Sequence, residues 1–299
     1  PQALWCLLQQ SEILIAQGHV QAAFELLDRA DQISEQQHLQ QLPLYEFLQR
    51  IRSQIYWRWN HLELAEEYAH KGLKYLPASC PSKRLQSYAM LSRVHISRSE
   101  LDKAKVYIDL CSELTTQSHY HTDWLANANF SQILYWQMKG DLAAIQHWLT
   151  TAPTMAEEPC NHFTQRHGRN LARAYMLVDE LPKAMAAVNH LQACAEEKGL
   201  VSEQQKNWVM EAVIYSKLDN EEQAIAKLQQ ALSLTNTTGV VIDFLIDAKI
   251  IAVLLNQLLK QGALPELERY RAEKLLKEMS VKQHNRAVYF DKAFVQKLV

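Results

Sequence analysis

Tryptophans, planar amides and arginines recur at helical spacing along the middle of this chain. Steps of three and four residues place Phe47, Arg50, Gln54 and Trp57 on one face of one helix, and Gln86, Ala89, Arg93 and Ile96 on another. The same steps give Ala126, Asn129, Ile133 and Trp136, then Arg166, Arg169, Arg173 and Met176, then Lys206, Val209, Val213 and Ser216. Sugar rings present C–H faces that lie flat on aromatic rings, and their hydroxyls need forked donors and acceptors. A wall with Trp57 and Trp136 as stacking platforms and Arg50, Gln54, Arg93, Asn129, Arg169 and Arg173 as polar contacts suits an oligosaccharide. The spacing alone does not choose sugar over peptide. The residues also have a structural reading, in which tryptophans pack between neighbouring helix pairs and arginines pair with carboxylates. The Arg169/Arg173 stripe is the best candidate for an anion or an acidic peptide, and a row of structural ion pairs is the simpler account of it.

Other chemistry has less support. His119 and His121 lack a third ligand at a suitable spacing, so no metal site is expected. Asn161, His162, Gln165 and His167 cluster where they cap a helix or reach a ligand. No nucleophile elbow, zinc-protease motif or phosphate-binding glycine loop occurs, and no catalytic residue is assigned. A glycosidase needs two facing carboxylates, and the inner-face residues offer none beyond Glu12.

The elements that must position these side chains follow from a ladder of alanines. Ala23, Ala65, Ala104, Ala144, Ala184 and Ala224 are spaced 42, 39, 40, 40 and 40 residues apart. Twelve residues before them lie Ser11, Ser53, Ser92, Ala172 and Ala212, with Gln132 the exception; nine before lie Tyr56, Tyr135, Tyr175 and Tyr215. Small residue, tyrosine, alanine and then a larger apolar residue is the helix-turn-helix pattern of tetratricopeptide repeats, stretched beyond their usual ~34 residues. The reading is an all-α, tetratricopeptide-like superhelix. Its helix pairs cover about 1–38, 43–77, 82–117, 121–152, 161–198 and 202–236, and a C-terminal helical cap covers 240–299. In the cap, an apolar helix is expected from Val240 to Gln261, closed by Gly262, with a second from Glu266 to Met279.

Composition agrees. Apolar residues make up 48% and charged residues 21%, which excludes a disordered chain, and a net charge of −2 supplies no global field for nucleic acid or anionic lipid. The apolar run from Ile250 to Leu259 is too short to span a bilayer. Five scattered cysteines without a C-x-x-C pair point to a reducing, cytoplasmic setting, with Cys111 as a small buried hydrophobe. The chain starts at Pro1 without a methionine and is expected to be a piece of something longer. Helices before Pro1 would leave an apolar face around Leu4, Trp5 and Leu8 open to self-association.

Whole segments carry a more specific signal. Leu48–Gly72 (LQRIRSQIYWRWNHLELAEEYAHKG), Tyr120–Asp141 (YHTDWLANANFSQILYWQMKGD) and Leu264–Met279 (LPELERYRAEKLLKEM) resemble the maltose-regulon transcriptional activators of bacteria. So do the opening ALWCLLQQSEILIAQG, the NHF and GRNLARA stretches, and the tail YFDKAFVQKL. The resemblance covers essentially the whole chain. It implies the helical sensor region of a large multidomain regulator, with maltotriose as inducer. In that family an ATP-binding module precedes this region and a LuxR-type helix-turn-helix follows it; inducer and ATP drive self-association and DNA binding. The resemblance therefore implies no cofactor in this segment, ATP at a separate module, DNA contact only through a module absent here, and no membrane. The competing reading is a tetratricopeptide-type scaffold for a peptide or partner protein.

Overall fold

Backbone with positive φ falls five residues before the ladder alanine at Gly18, Asn60, Ser99, Asp179 and Asp219. Glycine, Asn and Asp tolerate that conformation best, and it reverses the chain between the two helices of each pair. The computed structural model of the chain describes residues 1–117, 119–155, 161–162, 164–262 and 264–280. The pairs are α1 (Gln2–Ala16) with α2 (Val20–Gln36), α3 (Pro43–Arg58) with α4 (Leu62–Lys74), and α5 (Pro81–Ser97) with α6 (Leu101–Gln117). They continue as α7 (Thr122–Lys139) with α8 (Leu142–Thr151), α9 (Thr164–Leu177) with α10 (Leu181–Glu197), and α11 (Val201–Lys217) with α12 (Glu221–Thr238). Then come α13 (Ile242–Ile246), α14 (Ala248–Gln261) and α15, helical over 266–280. Among the described residues there is no strand. The molecule is a tetratricopeptide-like helical solenoid. The part of the expected cap at 281–299 lies outside the described residues.

The ladder works by close approach. Ala23, Ala65, Ala104, Ala184 and Ala224 are fully buried, as are the small residues Ser11, Ser53, Ser92, Ala172 and Ala212 of the facing helices. Within the second pair, Ser53 donates its hydroxyl to the Ala65 carbonyl at 2.5 Å. The two backbones touch where side chains have no bulk.

The fourth pair departs from this register. Ala144 is only half-buried, and Ile145 is the fully buried residue of α8. The left-handed turn residue there is Gly140, five before Ile145 rather than five before Ala144. Counting from Ile145, the fully buried Ile133 takes the −12 place that Gln132 failed to fill, and Trp136 falls in the −9 column of the tyrosines.

Solenoid stacking ends in closure. α1 meets α11, where Ser202 donates its hydroxyl to the Ile15 carbonyl. A Cβ at Gly18, whose φ is +85°, would stand 2.9 Å from the Val201 side chain, so only glycine fits that seam. Trp59 reaches across to donate its indole N–H to the Thr238 carbonyl at 3.2 Å, and Phe24 stacks on its ring at 5.6 Å. Leu4 and Leu8 are buried against α2 and α3 rather than forming an open face; of the three residues expected there, only Trp5 is exposed.

The apolar helix expected from Val240 to Gln261 is broken at Asp247 into α13 and α14. The cause is the Asp247 carboxylate, drawn inward to Arg173 at 3.0 Å and to the Gln137 amide at 3.0 Å. α13 is held inside the superhelix by the Val241 N–H on the Arg58 carbonyl at 2.9 Å. Gly262 closes α14 in the left-handed conformation, and Ala272, Leu275 and Met279 of α15 join the main core. Cys111 is buried and its thiol is pushed up to about 12 by burial. No helix among the described residues is long and apolar enough to cross a membrane.

The register difference is testable by overpacking. Ala184→Leu is expected to destabilise the chain by about 1–3 kcal/mol, because a fully buried close-approach site has no room for the added carbons. Ala144→Leu is expected to stay within roughly 0.5 kcal/mol of the parent. Urea denaturation followed by helicity measures both; equal losses would place Ala144 in the ladder after all.

Candidate functional site

The inward faces of the first helices enclose two adjoining cavities that share Gln54 and Arg166. The larger offers about 240 Å³ and is rich in aromatic surface. α1 contributes Trp5, Gln9 and Glu12; α3 contributes Phe47, Arg50 and Gln54; α5 contributes Lys83 and Gln86. Asp123, Trp124 and Asn127 come from α7, and His162 and Arg166 complete the wall. Trp5 and Trp124 remain 47% and 37% exposed, so their rings are open to a ligand. Trp5 and Phe47 lie 6.1 Å apart between centroids. The Arg50 guanidinium sits 4.9 Å from the Phe47 centroid and donates Nε–H to Glu46 at 3.0 Å. Lys83 Nζ lies 5.1 Å from the Phe47 centroid and 5.9 Å from that of Trp124. Burial and the Arg50 charge lower the Lys83 pKa.

The smaller cavity, about 50 Å³, is lined by cations: Arg58, Arg93, Arg166, Arg169, Arg173 and Lys206. Trp57, Phe130, Val209, Met210 and Ile246 supply its apolar wall, and Asp243 of α13 a carboxylate. Part of this charge is neutralised. Glu203, almost fully buried, accepts from Lys206 at 2.7 Å and forms ion pairs with Arg169 at 2.5 Å and His162 at 3.2 Å. Burial opposes ionisation of Glu203, yet Arg169, Lys206 and His162 hold its carboxyl well below the usual range. Arg173 pairs with Asp247. Arg166 donates to the Asn127 carbonyl oxygen at 2.5 Å and Arg93 to the backbone of Ala89 at 3.1 Å. The Gln54 amide, with its oxygen turned to the guanidiniums, accepts from Arg58 at 3.0 Å and Arg166 at 3.2 Å. Burial and the Arg58 charge bring Lys206 down to about 7 and Arg166 to about 10.

Of the residues picked out by helical spacing, Arg50 and Gln54 line the aromatic cavity; Gln54, Trp57, Arg93, Arg169 and Arg173 line the cationic one. Trp57 is nearly buried. Its indole N–H donates to Ser97 at 3.0 Å, and Arg93 lies 5.3 Å from its ring centroid, so that side of the platform is taken. Asn129 and Trp136 are half-buried and line neither cavity. The one-residue register of the fourth pair is the reason: counted from Ile145, the inward positions are Asn127, Phe130, Leu134 and Gln137. Asn127 accepts from Arg166 and Gln137 from Arg173, at 3.1 Å in the second case. Trp124, one turn before the inward positions of α7, escaped the spacing argument, as did Lys83 and Arg58; Trp5 stands eighteen residues before Ala23, as Phe47 does before Ala65, in the first pair, which the inward set left out. Gln132, out of place in the small-residue column, was the one signal of the shift. His121 caps α7, accepting from the Asp123 N–H at 3.4 Å.

A family model described as the MalT-like TPR region matches residues 1–261. The chain belongs to this family. It is 49% identical to the HTH-type transcriptional regulator MalT of Vibrio parahaemolyticus over 298 residues, and 48% identical to that of Vibrio cholerae. Identity to the HTH-type transcriptional regulator MalT of Yersinia enterocolitica is 42% over 299 residues. Each match covers 99–100% of this chain and 33% of the relative, so the chain spans about a third of the length of the curated relatives it matches. In the MalT-like TPR region seen here, the segments carrying the resemblance supply much of the cavity wall: Arg50, Gln54, Trp57 and Arg58 from one, Trp124 and Asn127 from another.

The depressed Lys206 pKa predicts a pH effect of definite sign. Between about pH 7 and the ordinary lysine range, the unfolded chain binds a proton that the folded chain does not, so stability rises with pH in that window. Below it both states hold the proton, and the cost of burying the charge is paid in full. Lys206→Met is expected to remove most of this rise. Urea denaturation at pH 7 and pH 9.5 of parent and variant, compared as differences, checks it.

Proposed function

We propose that this chain is the inducer-sensing region of a transcription activator of maltose and maltodextrin genes, binding maltotriose reversibly and without catalysis. The observation that carries the reading is the aromatic cavity. Trp5, Phe47 and Trp124 present ring surface beside Gln9, Gln86, Asn127, Arg50 and Glu12, which is the pairing of flat apolar faces and forked polar groups that glucose units need. Family membership supplies the biological context. ATP is expected at a separate module of the full-length protein, DNA contact at another, and self-association in the full-length activator. A regulator of bacterial genes works in the cytoplasm.

A peptide-binding scaffold is the competing class. Closure of α1 onto α11 turns the concave groove into a lumen partly filled by α13, and an extended peptide has no open trough there. That geometry favours a small ligand.

Maltotriose titration by calorimetry, with helicity checked for every variant, tests the assignment. Trp124→Ala and Trp5→Ala are each expected to cost ~1–3 kcal/mol of binding, by analogy with aromatic stacking on other planar ligands. That is on the order of 5- to 150-fold in affinity. Trp136→Ala, outside both cavities, is expected to bind as the parent does. The assignment fails if folded Trp124→Ala and Trp5→Ala keep full affinity.

A further inference from the structure

The cationic cavity is built for something the maltotriose reading does not use. Six cationic side chains line it, and the carboxylates account for only half of them: Glu203 takes Arg169 and Lys206, and Asp247 takes Arg173. Among the described residues no carboxylate lies within ion-pair distance of Arg58, Arg93 or Arg166. Against these three guanidiniums the cavity wall sets one unpaired carboxylate, Asp243. Arg58 is 4% exposed, and its Nη1 has no hydrogen-bond partner; the same holds for Nε of Arg173. Arg58 and Arg166 converge on the single neutral oxygen of Gln54. Burying charge without a counter-charge is costly, and the cost of this arrangement stands unless an anion offsets it.

We propose that this cavity is an anion site for one phosphate-sized oxyanion, held by Arg58, Arg93 and Arg166. Size argues for a single tetrahedral group: about 50 Å³ has room for roughly three or four waters and not for a nucleotide or a peptide. Guanidinium forks match phosphate oxygens in geometry as well as charge. Access runs through Gln54 and Arg166, which belong to both cavities, so the anion arrives either as free phosphate or on a sugar whose ring lies among the aromatic residues. The site stands apart from the maltotriose assignment and survives its failure.

Inorganic phosphate titrated into the chain at fixed pH and ionic strength, with chloride as balancing anion, tests the site. Thermal midpoint and phosphorus-31 linewidth are the readouts. A saturable rise in the midpoint with matching line broadening is expected, weakened about tenfold or more in Arg166→Gln. Lys105→Gln, on an exposed pair with Asp109, is expected to behave as the parent does. Where Arg166→Gln loses helicity, Arg166→Lys keeps the charge and is expected to retain binding, and the linewidth on the parent chain decides the question directly. A response that does not saturate beyond the chloride control, or an equal response in folded Arg166→Gln, overturns the proposal. A hexose phosphate that binds more tightly than inorganic phosphate identifies the anion as sugar-borne; equal affinity identifies free phosphate.

Discussion

Each first helix faces the lumen because its partner lets it come close at a residue without bulk. The fully buried pairs Ser53 with Ala65, Ala172 with Ala184 and Ala212 with Ala224 set the distance and rotation of the two helices. Rotation is the quantity that matters for the interior. One helical position amounts to about 100° of turn, so an anchor moved by a single residue carries a different side chain into the lumen. In the fourth pair the anchor is Ile145, and the inward face becomes Asn127 and Phe130 on the cavity walls and Gln137 against Arg173 and Asp247. Those side chains then complete contacts that start on other pairs: Asn127 with Arg166, Gln137 with Arg173 and Asp247. The packing ladder and the polar lumen are one constraint seen from two sides.

Closure makes the polar interior expensive. A solenoid that stayed open would leave Arg58, Arg93 and Arg166 in water, where unpaired guanidiniums cost little. Here α11 and α12 return to α1, Trp59 and α13, and the same side chains face a lumen shielded from solvent. Glu203 shows how much organisation one buried carboxylate requires: three basic groups from α9, α11 and the segment before α9 converge on it. Removing either partner of such a set leaves an uncompensated charge, which is why buried ion pairs are costly to break even where they add little net stability.

Much of the fold was legible because packing repeats and chemistry does not. An alanine about every forty residues, fully buried in five of the six pairs, with glycine, asparagine, serine or aspartate in the turn before it, is imposed by backbone geometry and recurs in the sequence. Binding residues carry no such period. The steps of three and four residues found Arg50, Gln54, Trp57, Arg93, Arg169 and Arg173 on the cavity walls, since those helices keep the common register. They returned Asn129 and Trp136 for the fourth pair, where Ala144 stands next to the true anchor. Trp124 lies a turn before the inward positions of α7, and Trp5 belongs to the first pair, which the inward set left out; the stacking of α1, α3 and α7 brings both to one cavity with Phe47. The excess of positive charge inside was invisible for a different reason. A net charge of −2 over the chain averages a cationic lumen with an acidic exterior, and composition cannot separate the two.

A ligand in the aromatic cavity would touch residues of α1, α3, α5, α7 and α9, which belong to five of the helix pairs. Its contacts therefore report on how those pairs stand around the lumen, and α1 is itself one side of the seam with α11. Ligand binding shifts a conformational equilibrium only by its difference in affinity between the two states. A site confined to one pair would have the same contacts whether the ring were tight or loose, and would supply no such difference. A site assembled across five pairs loses aromatic and polar contacts as soon as the ring relaxes, so its whole contact energy is available as differential affinity. The placement of Trp5 on the seam helix, in one cavity with Trp124 of α7, is what gives the cavity that property.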